Sequence, residues 1–197
     1  MAKNETLTKK LDKIYNKCNN KMISYICLYE RELYKIMRVI TGSARGRRLK
    51  TLEGDSVRPT TDKVKESIFN IIQFDVEGAK VLDMFCGCGQ LGIEALSRGA
   101  EFAVFTDISR QSIAVTEENL EHTGFRSVAK TVVTDSLGYL DRTSEIYDIA
   151  FLDPPYRAGI MADAIERVRL HIADGGIIVC ETDSHEVLPE VIDGFTS

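Results

Sequence analysis

The sequence predicts an α/β fold built around a doubly wound, mainly parallel β-sheet. Three observations support this prediction. The 197 residues suit one ordinary domain, and 44% apolar residues with only 4 Pro are typical of a folded globular protein. From residue 80 onward, short apolar runs alternate with segments of helical periodicity, the pattern of strands joined by crossover helices. These features exclude a chain that is disordered as a whole.

The elements follow in alternating order. A first helix is predicted over residues 62–74, because Val64, Ile68, Ile71 and Ile72 fall on one face. Ligands of such sheets lie at the carboxyl ends of the strands. The other predicted strands cover residues 80–85, 102–106, 129–134, 147–152 and 176–181, and the other predicted helices cover residues 91–98, 111–122, 137–140 and 159–171.

Charge is distributed unevenly along the chain. Residues 1–65 hold 16 Lys and Arg against 7 Asp and Glu, whereas residues 66–197 hold 9 against 23. A basic arm on an acidic body predicts that the first third contacts a polyanion. Residues 1–36 are interpreted as a helical or disordered extension. For these residues a solvated lysine-rich helix face is an equal alternative to contact with a polyanion. The alternation around Gly42 and Gly46 predicts a basic hairpin within the lead-in segment 37–61.

Neither a membrane span nor a disulfide framework is predicted. The longest apolar run, residues 22–29, is far shorter than the roughly 20 residues that cross a bilayer. The five cysteines are odd in number and lack the paired spacing of disulfides or zinc ligands. We therefore expect a cytoplasmic protein with reduced thiols and no bound metal.

A glycine-rich loop follows the first core strand. Its spacing, Gly87-x-Gly89-x-x-Gly92, suits a tight turn, a close approach of ligand to backbone, and close packing of helix on strand. Asp107 lies 20 residues after Gly87, where a ribose-binding carboxylate is expected. The spacing predicts a nucleotide-type cofactor but does not separate a nicotinamide dinucleotide from another adenosine cofactor.

The tetrapeptide Asp153-Pro154-Pro155-Tyr156 ends the fourth predicted strand, at the same mouth of the sheet. A carboxylate and a proline-aimed carbonyl can accept both hydrogens of an amino group, and Tyr156 offers a stacking surface for a base. The tetrapeptide resembles the D/N-P-P-F/Y motif of S-adenosylmethionine-dependent methyltransferases that modify exocyclic or amide nitrogens. Direct methyl transfer needs no covalent enzyme nucleophile, so we interpret Cys86 and Cys88 as small buried residues.

The resemblance narrows with two further segments, the run Met37-Arg-Val-Ile-Thr-Gly-Ser-Ala-Arg-Gly-Arg-Arg-Leu49 and the run Arg58-Pro-Thr-Thr-Asp-Lys-Val-Lys-Glu-Ser-Ile-Phe-Asn70. Together with the tetrapeptide they resemble the bacterial small-subunit ribosomal RNA guanine-N2 methyltransferase D family, from Met37 to about Glu181. This implies a Rossmann-like class I methyltransferase fold over residues 62–197, S-adenosylmethionine as cofactor, and methylation of the N2 amine of one 16S rRNA guanine in the assembled small subunit by a monomeric enzyme.

The resemblance also implies roles for individual residues. Asp153, Pro154, Pro155 and Tyr156 would hold the base. Asp83 would orient the glycine loop and meet the methionyl ammonium, Asp107 would bind the ribose hydroxyls, and Asp135 the adenine amino group. The remaining residues expected at the cofactor are Phe85, Cys86, Gly87, Gly89, Ile108 and Ser136, and those expected to contact rRNA are Arg38, Arg45, Arg47, Arg48 and Arg58.

Three departures from the family pattern accompany these expectations. Cys86 and Cys88 replace the usual Ala and Ser or Thr, residues 1–36 have no counterpart, and relatives continue with a helix and a strand pair that complete a seven-stranded sheet. The sheet is thus expected to lack its last two strands. Two other functions stay open: an adenine-N6 methyltransferase acting on RNA or DNA, and a truncated RNA-binding remnant without activity.

Overall fold

The computed structural model describes residues 37–52, 62–154, 160–182, 191–192 and 195–196. Its centre is a sheet of five parallel strands, β1 (Lys80–Met84), β2 (Phe102–Asp107), β3 (Ala129–Val133), β4 (Tyr147–Leu152) and β5 (Ile172–Cys180), in the order β3-β2-β1-β4-β5. The helices are α1 (Asp62–Ile71), α2 (Gln90–Ser97), α3 (Arg110–Thr123), α4 (Ser136–Leu140) and α5 (Ile160–Val168), with 3-10 turns at Arg126–Val128 and Arg169–His171. The predicted doubly wound fold is confirmed.

Most predicted boundaries agree with the observed ones to within a few residues, and the largest difference is in β5. This strand begins at Ile172, four residues before the predicted start, because Ile172 pairs with Tyr147. The next paired residues are Ile149 and Ile177, so the register shifts through Asp174-Gly175-Gly176. That run is typical of a turn in sequence, and only its pairing with β4 makes it part of a strand.

Strand side chains alternate between two apolar layers. One layer lies between the sheet and helices α1, α2 and α3, and it contains Phe105 and Phe151. The other lies against α4 and α5, and it contains Leu82, Leu152 and Cys180. Because successive strand residues face opposite sides, the layer of a neighbouring residue predicts the face on which a site residue lies.

Residues 37–50 form a tight hairpin, called here the N-terminal hairpin. Its single bridge joins Arg38 and Arg48, and Gly46 N donates to Val39 O over 2.8 Å. Four apolar side chains are buried in the layer of α1, α2 and α3: Met37, Val39, Ala44 and Leu49. The predicted basic hairpin is confirmed, and its apolar face is part of the core.

After β5, two-residue strands β6 (Val191–Ile192) and β7 (Phe195–Thr196) pair antiparallel with each other. In the described residues they do not join the five-stranded sheet. The expectation of a sheet lacking the last two family strands is thus met, although the short pair itself was not predicted. Within the described ranges no helix has the length and apolarity needed to cross a bilayer.

Candidate active site

The chain turns sharply between β1 and α2. Phe85, Gly87 and Gly89 all have left-handed backbone, with φ of 58°, 54° and 76°, a conformation that is costly for a phenylalanine. Gly89 N donates to Cys86 O over 2.7 Å, and Cys86 N donates to Thr106 O over 3.0 Å. A Cβ placed on Gly87 would meet nothing within 4 Å. The loop is therefore braced against β2 and leaves open space beside its backbone, as a cofactor loop requires.

The other two glycines serve packing. A Cβ on Gly92 would lie 2.4 Å from Cε1 of Phe105, and one on Gly89 would lie 2.7 Å from Cγ2 of Thr116. Only glycine allows α2 to lie this close to β2 and α3. The predicted role of Gly92 in close helix–strand packing is confirmed.

Asp83 lies in β1, directly below the loop. It is 2% exposed, and its Oδ2 accepts a hydrogen bond from Gly92 N over 2.9 Å. Burial raises the pKa of Asp83 to about 8; the charge of Asp107 adds to this shift, and the bond from Gly92 opposes it. Asp83 thus connects β1 to the first turn of α2, immediately after the glycine loop.

Asp107 ends β2 and connects the two loops at this edge. Its Oδ2 accepts from Gly87 N over 3.0 Å, and its Oδ1 accepts from Ser109 N over 2.8 Å. An ionised carboxylate has about four acceptor positions, so both oxygens can still receive ribose hydroxyls. The adjacent Ile108 is 75% exposed, and it supplies an apolar surface where an adenine ring is expected.

The third strand contributes Asp135 and Ser136. Asp135 caps α4, with its Oδ2 accepting from Gly138 N over 2.8 Å. Ser136 is buried, and its Oγ accepts from Thr106 Oγ1 over 3.0 Å and from Phe85 N over 3.4 Å. The carboxyl ends of β1, β2 and β3 are therefore joined by side-chain hydrogen bonds, which brings all of these predicted cofactor residues to one edge.

Cys86 and Cys88 lie inside the loop as small buried side chains, 6% and 7% exposed. Burial raises the pKa of Cys88 to about 11 and that of Cys86 well above its ordinary value. A thiolate is the reactive form of cysteine, so neither side chain is suited to act as a nucleophile. Among the described residues no group of His, Cys, Asp and Glu side chains could hold a metal ion.

Asp153 and Pro154 follow β4 immediately. Because β4 pairs with β1 so that Leu152 lies beside Met84, Asp153 stands next to the start of the glycine loop. Burial raises the pKa of Asp153, and the nearby charges of Glu181 and Asp83 raise it further. Pro155 and Tyr156, the other two residues of the predicted base site, lie outside the described residues.

The N-terminal hairpin presents its arginines at the surface, where Arg38, Arg45, Arg47 and Arg48 are all exposed. Two of them already have partners, since Arg38 Nε lies 3.0 Å from Asp62 Oδ2 and Arg47 donates to His122 O. Arg58, the fifth predicted rRNA contact, lies outside the described residues. The hairpin therefore carries a cluster of exposed guanidinium groups on the α2 side of the sheet.

Sequence reasoning missed the residues that fasten the hairpin to the body. Glu94 in α2 is fully buried and accepts from Ile40 N over 2.7 Å and from Thr41 N over 2.9 Å. Lys65, also fully buried, lies 3.5 Å from Glu94 and donates to Arg38 O over 2.5 Å. The available signal was a carboxylate inside the apolar run Leu91-Gly-Ile-Glu-Ala-Leu96, because buried charges in proteins are normally paired.

Asn119 in α3 connects the hairpin to the glycine loop. Its side-chain Oδ1 accepts from Lys50 N over 2.8 Å, and its Nδ2 donates to Lys50 O over 3.0 Å and to Cys88 O over 2.9 Å. The residue is 1% exposed. One amide thereby fixes the end of the hairpin and the middle of the cofactor loop relative to each other.

The described residues fit S-adenosylmethionine. This cofactor is cationic at its sulfonium and its ammonium, and this edge of the sheet offers the buried carboxyl group of Asp83, whose pKa is raised. It also carries a ribose and an adenine, for which Asp107 and the exposed Ile108 stand in sequence along the same edge. These acceptors and this apolar surface are compatible with an adenosine cofactor that carries positive charge.

The chain is also similar in sequence to known proteins. Residues 37–197 match the family described as Conserved hypothetical protein 95. The chain is 40% identical over 161 residues to the protein YlbH of Bacillus subtilis, covering 79% of this chain and 88% of that one. It is 33% identical over 159 residues to Ribosomal RNA small subunit methyltransferase D of Escherichia coli, covering 79% of each chain.

The solved structure of yhhF from Escherichia coli superposes on 80% of this chain and 86% of its own, with a TM-score of 0.67 and 32% sequence identity. Sequence similarity and structural similarity therefore indicate the same family. The chain belongs to the ribosomal RNA small subunit methyltransferase D family, whose members have the class I S-adenosylmethionine-dependent methyltransferase fold.

Proposed function

We propose that this protein methylates the N2 amine of a guanine in 16S rRNA, within the assembled small ribosomal subunit, using S-adenosylmethionine. The observation that carries the proposal is the position of Asp153-Pro154. They follow β4, beside the glycine loop that follows β1, on adjacent parallel strands. An amino group held at Asp153 would therefore lie next to the methyl group of a cofactor held by the loop.

Asp153 and Pro154 would prepare the amine. The lone pair of a nucleobase amine is delocalised into the ring, which makes it a poor nucleophile. Two acceptors, the Asp153 carboxylate and the Pro154 carbonyl, can bind both amine hydrogens and turn the lone pair toward the methyl group. When bound, S-adenosylmethionine would supply a methyl group activated by its sulfonium. The methylated amine loses one of its two hydrogens as a proton, which Asp153 can accept and pass to water. Alignment of this kind can contribute about 7–11 kcal/mol in well-oriented reactions.

The N-terminal hairpin would position the RNA. Its exposed arginines, Arg45 and Arg48 among them, suit phosphate oxygens. The target guanine must leave its stack to reach Asp153, as bases do in other enzymes that modify them. The hairpin lies on the same side of the sheet as Asp83, so phosphate contacts and the base site share one face.

Methyl transfer from labelled S-adenosylmethionine to small subunits lacking base methylation, followed by nucleoside mass spectrometry, tests the proposal. Naked rRNA and DNA serve as parallel substrates. N2-methylguanosine on the assembled subunit supports the proposal. N6-methyladenosine would establish the adenine alternative, and binding of cofactor and subunit without a methylated product would establish the inactive RNA-binding alternative.

Asp153→Ala provides the residue-level test. We expect this variant to abolish turnover while leaving the dissociation constant of S-adenosylmethionine nearly unchanged, because Asp153 is assigned to the base and not to the cofactor. Asp141→Ala, which removes an exposed carboxylate paired with Arg167, is the matched control and should retain activity. An equal loss of cofactor binding in Asp153→Ala would show that Asp153 is structural.

A further inference from the structure

Glu181 follows β5 and lies beside Asp153. Leu152 and Cys180 are paired residues of β4 and β5, and Glu181 N donates to Leu152 O over 2.8 Å. The ladder thus continues one residue past both strands. Since neighbouring strands lie about 4.8 Å apart, the backbones of Asp153 and Glu181 are immediate neighbours.

The two carboxylates lie on the same face of the sheet. Leu152 and Cys180 point into the layer against α4 and α5, so the residues that follow them point to the opposite side. Asp83 occupies that side too, where it accepts from Gly92 N of α2. Both Asp153 and Glu181 are half-buried, and the charge of Glu181 is close enough to raise the pKa of Asp153.

The hydrogen-bonding edge of guanine matches this pair. Guanine presents N1–H and the N2 amino group side by side, three hydrogens in all, and a carboxylate is purely an acceptor. Adenine presents an N1 lone pair beside its amine, which would place two acceptors face to face. Leaving a polar group of a site unpaired in this way is an effective means of rejection.

We propose that Glu181 is a second base-binding carboxylate, which accepts the N1–H of the target guanine while Asp153 accepts from N2, and that it selects guanine over adenine. The inference rests on the proposed function and adds the residue that determines the base. In its ionised form Glu181 only accepts a hydrogen bond, so the groups assigned to methyl transfer are unchanged.

Small subunits reconstituted with either guanosine or 2-aminopurine riboside at the mapped target position test this role. 2-Aminopurine keeps the N2 amine but has a lone pair at N1. We expect Glu181→Ala to lower kcat on guanosine about 10- to 100-fold, the size of a lost base contact. Glu181→Gln should lose less, because its amide oxygen can still accept from N1–H. The subunit KM should change little, because phosphate contacts dominate affinity for the RNA. The preference of Glu181→Gln should shift toward 2-aminopurine, since the glutamine amide can donate to N1.

Two controls accompany the variant. Glu166→Gln makes the same change on the exposed face of α5, where Glu166 pairs with Arg169, and should behave as the wild type. The dissociation constant of S-adenosylmethionine reports both folding and cofactor binding, and it should be the same for the wild type and all three variants. Glu181→Ala should narrow the discrimination between the two bases, because it removes both the contact with N1–H and the acceptor that faces the N1 lone pair of 2-aminopurine.

The outcomes separate this inference from the proposed function. If wild-type enzyme makes N2-methylguanosine but Glu181→Ala keeps its full kcat on guanosine, or Glu181→Gln keeps the wild-type preference for guanosine, the role of Glu181 is wrong and the function stands. Equal losses on both bases, or loss of cofactor binding, would likewise overturn base selection by Glu181. If the wild type makes N6-methyladenosine or no product, both proposals are wrong.

Discussion

Individual carboxyl groups acquire their chemical character from burial. Asp83 is 2% exposed, and burial raises its pKa to about 8. Asp153 shows a shift in the same direction, and nearby negative charge contributes to it. Asp83 gains from a cation placed beside it, because a positive charge favours its ionised form. A cationic cofactor therefore suits this edge better than a neutral one.

Asp83→Asn tests this view through the pH dependence of stability. The folded protein holds the Asp83 proton up to pH about 8, whereas the unfolded chain releases it near pH 4. The folded state thus binds more protons between these values, and the free energy of unfolding falls as pH rises through that window. Asp83→Asn does not show this fall in the free energy of unfolding, because asparagine does not titrate. Its side-chain oxygen can still accept from Gly92 N.

Denaturant unfolding at pH 4.5, 6.5 and 8.5 measures the effect. We expect the stability of Asp83→Asn to exceed that of the wild type by an amount that grows with pH and levels off near pH 8. Binding of S-adenosylmethionine should weaken in the variant at pH 8.5, where the wild-type carboxylate is ionised. A stability difference that does not change with pH would contradict the raised pKa that we attribute to burial of the Asp83 carboxyl.

At the scale of elements, the N-terminal hairpin depends on the end of α2. Ser43 N donates to Ser97 O over 2.8 Å, and Ala44 N donates to Ser97 Oγ over 3.0 Å. Gly42 lies at this contact with φ of 85°, and a Cβ there would fall 1.7 Å from Ser97 O. The position needs glycine for its conformation and also for the space.

A pair of variants separates these two requirements. Gly46 has a similar φ of 81°, but a Cβ there would meet nothing within 4 Å. Gly46→Ala should therefore lower the free energy of unfolding only by the cost of a left-handed alanine, about 1–2 kcal/mol. Gly42→Ala should lower the free energy of unfolding by that amount and by about 1–3 kcal/mol more, the cost of displacing the hairpin from α2.

Urea unfolding of both proteins gives the comparison, and subunit binding at fixed salt gives the functional consequence. We expect Gly42→Ala to bind the small subunit more weakly than Gly46→Ala, because the hairpin carries the exposed arginines. Equal losses of stability in the two variants would show that the contact with Ser97 does not hold the hairpin.

For the whole molecule, the distribution of charge and the two faces of the sheet predict how the protein is oriented on RNA. The hairpin is packed into the layer of α1, α2 and α3, and α5 lies on the opposite face. Net charge is −5 over the chain, so a general attraction to RNA is not expected. Binding should depend on the local cluster of arginines.

Salt dependence of subunit binding tests this orientation. Arg45→Ala and Arg48→Ala should each reduce the slope of log K against log salt by about 0.7–0.9, the share of one phosphate contact. Affinity for S-adenosylmethionine should stay unchanged. Arg167→Ala removes an arginine from the opposite face, where it pairs with Asp141, and should leave the slope as it is. If Arg167→Ala changes the slope by an equal amount, the RNA does not bind specifically at the N-terminal hairpin.

Local patterns were sufficient to predict most of the fold and the edge that carries the site. Apolar runs and helical periodicity depend on neighbouring residues, so the five strands and their order of alternation with helices could be predicted from the chain. The same holds for the loop at Gly87 and for Asp153, because residues that end parallel strands meet at one edge. The fifth strand was only partly predicted, since its first residues resemble a turn.

Contacts between residues far apart in the chain were decided by the tertiary structure alone. The pairing of Lys65 with Glu94, the bridge from Asn119 to Lys50 and Cys88, and the position of Glu181 beside Asp153 depend on which strands and helices become neighbours. A sequence shows that a polar residue occurs within an apolar run. Only the packed chain supplies its partner, because burial and hydrogen bonding are properties of the surroundings and not of the residue itself.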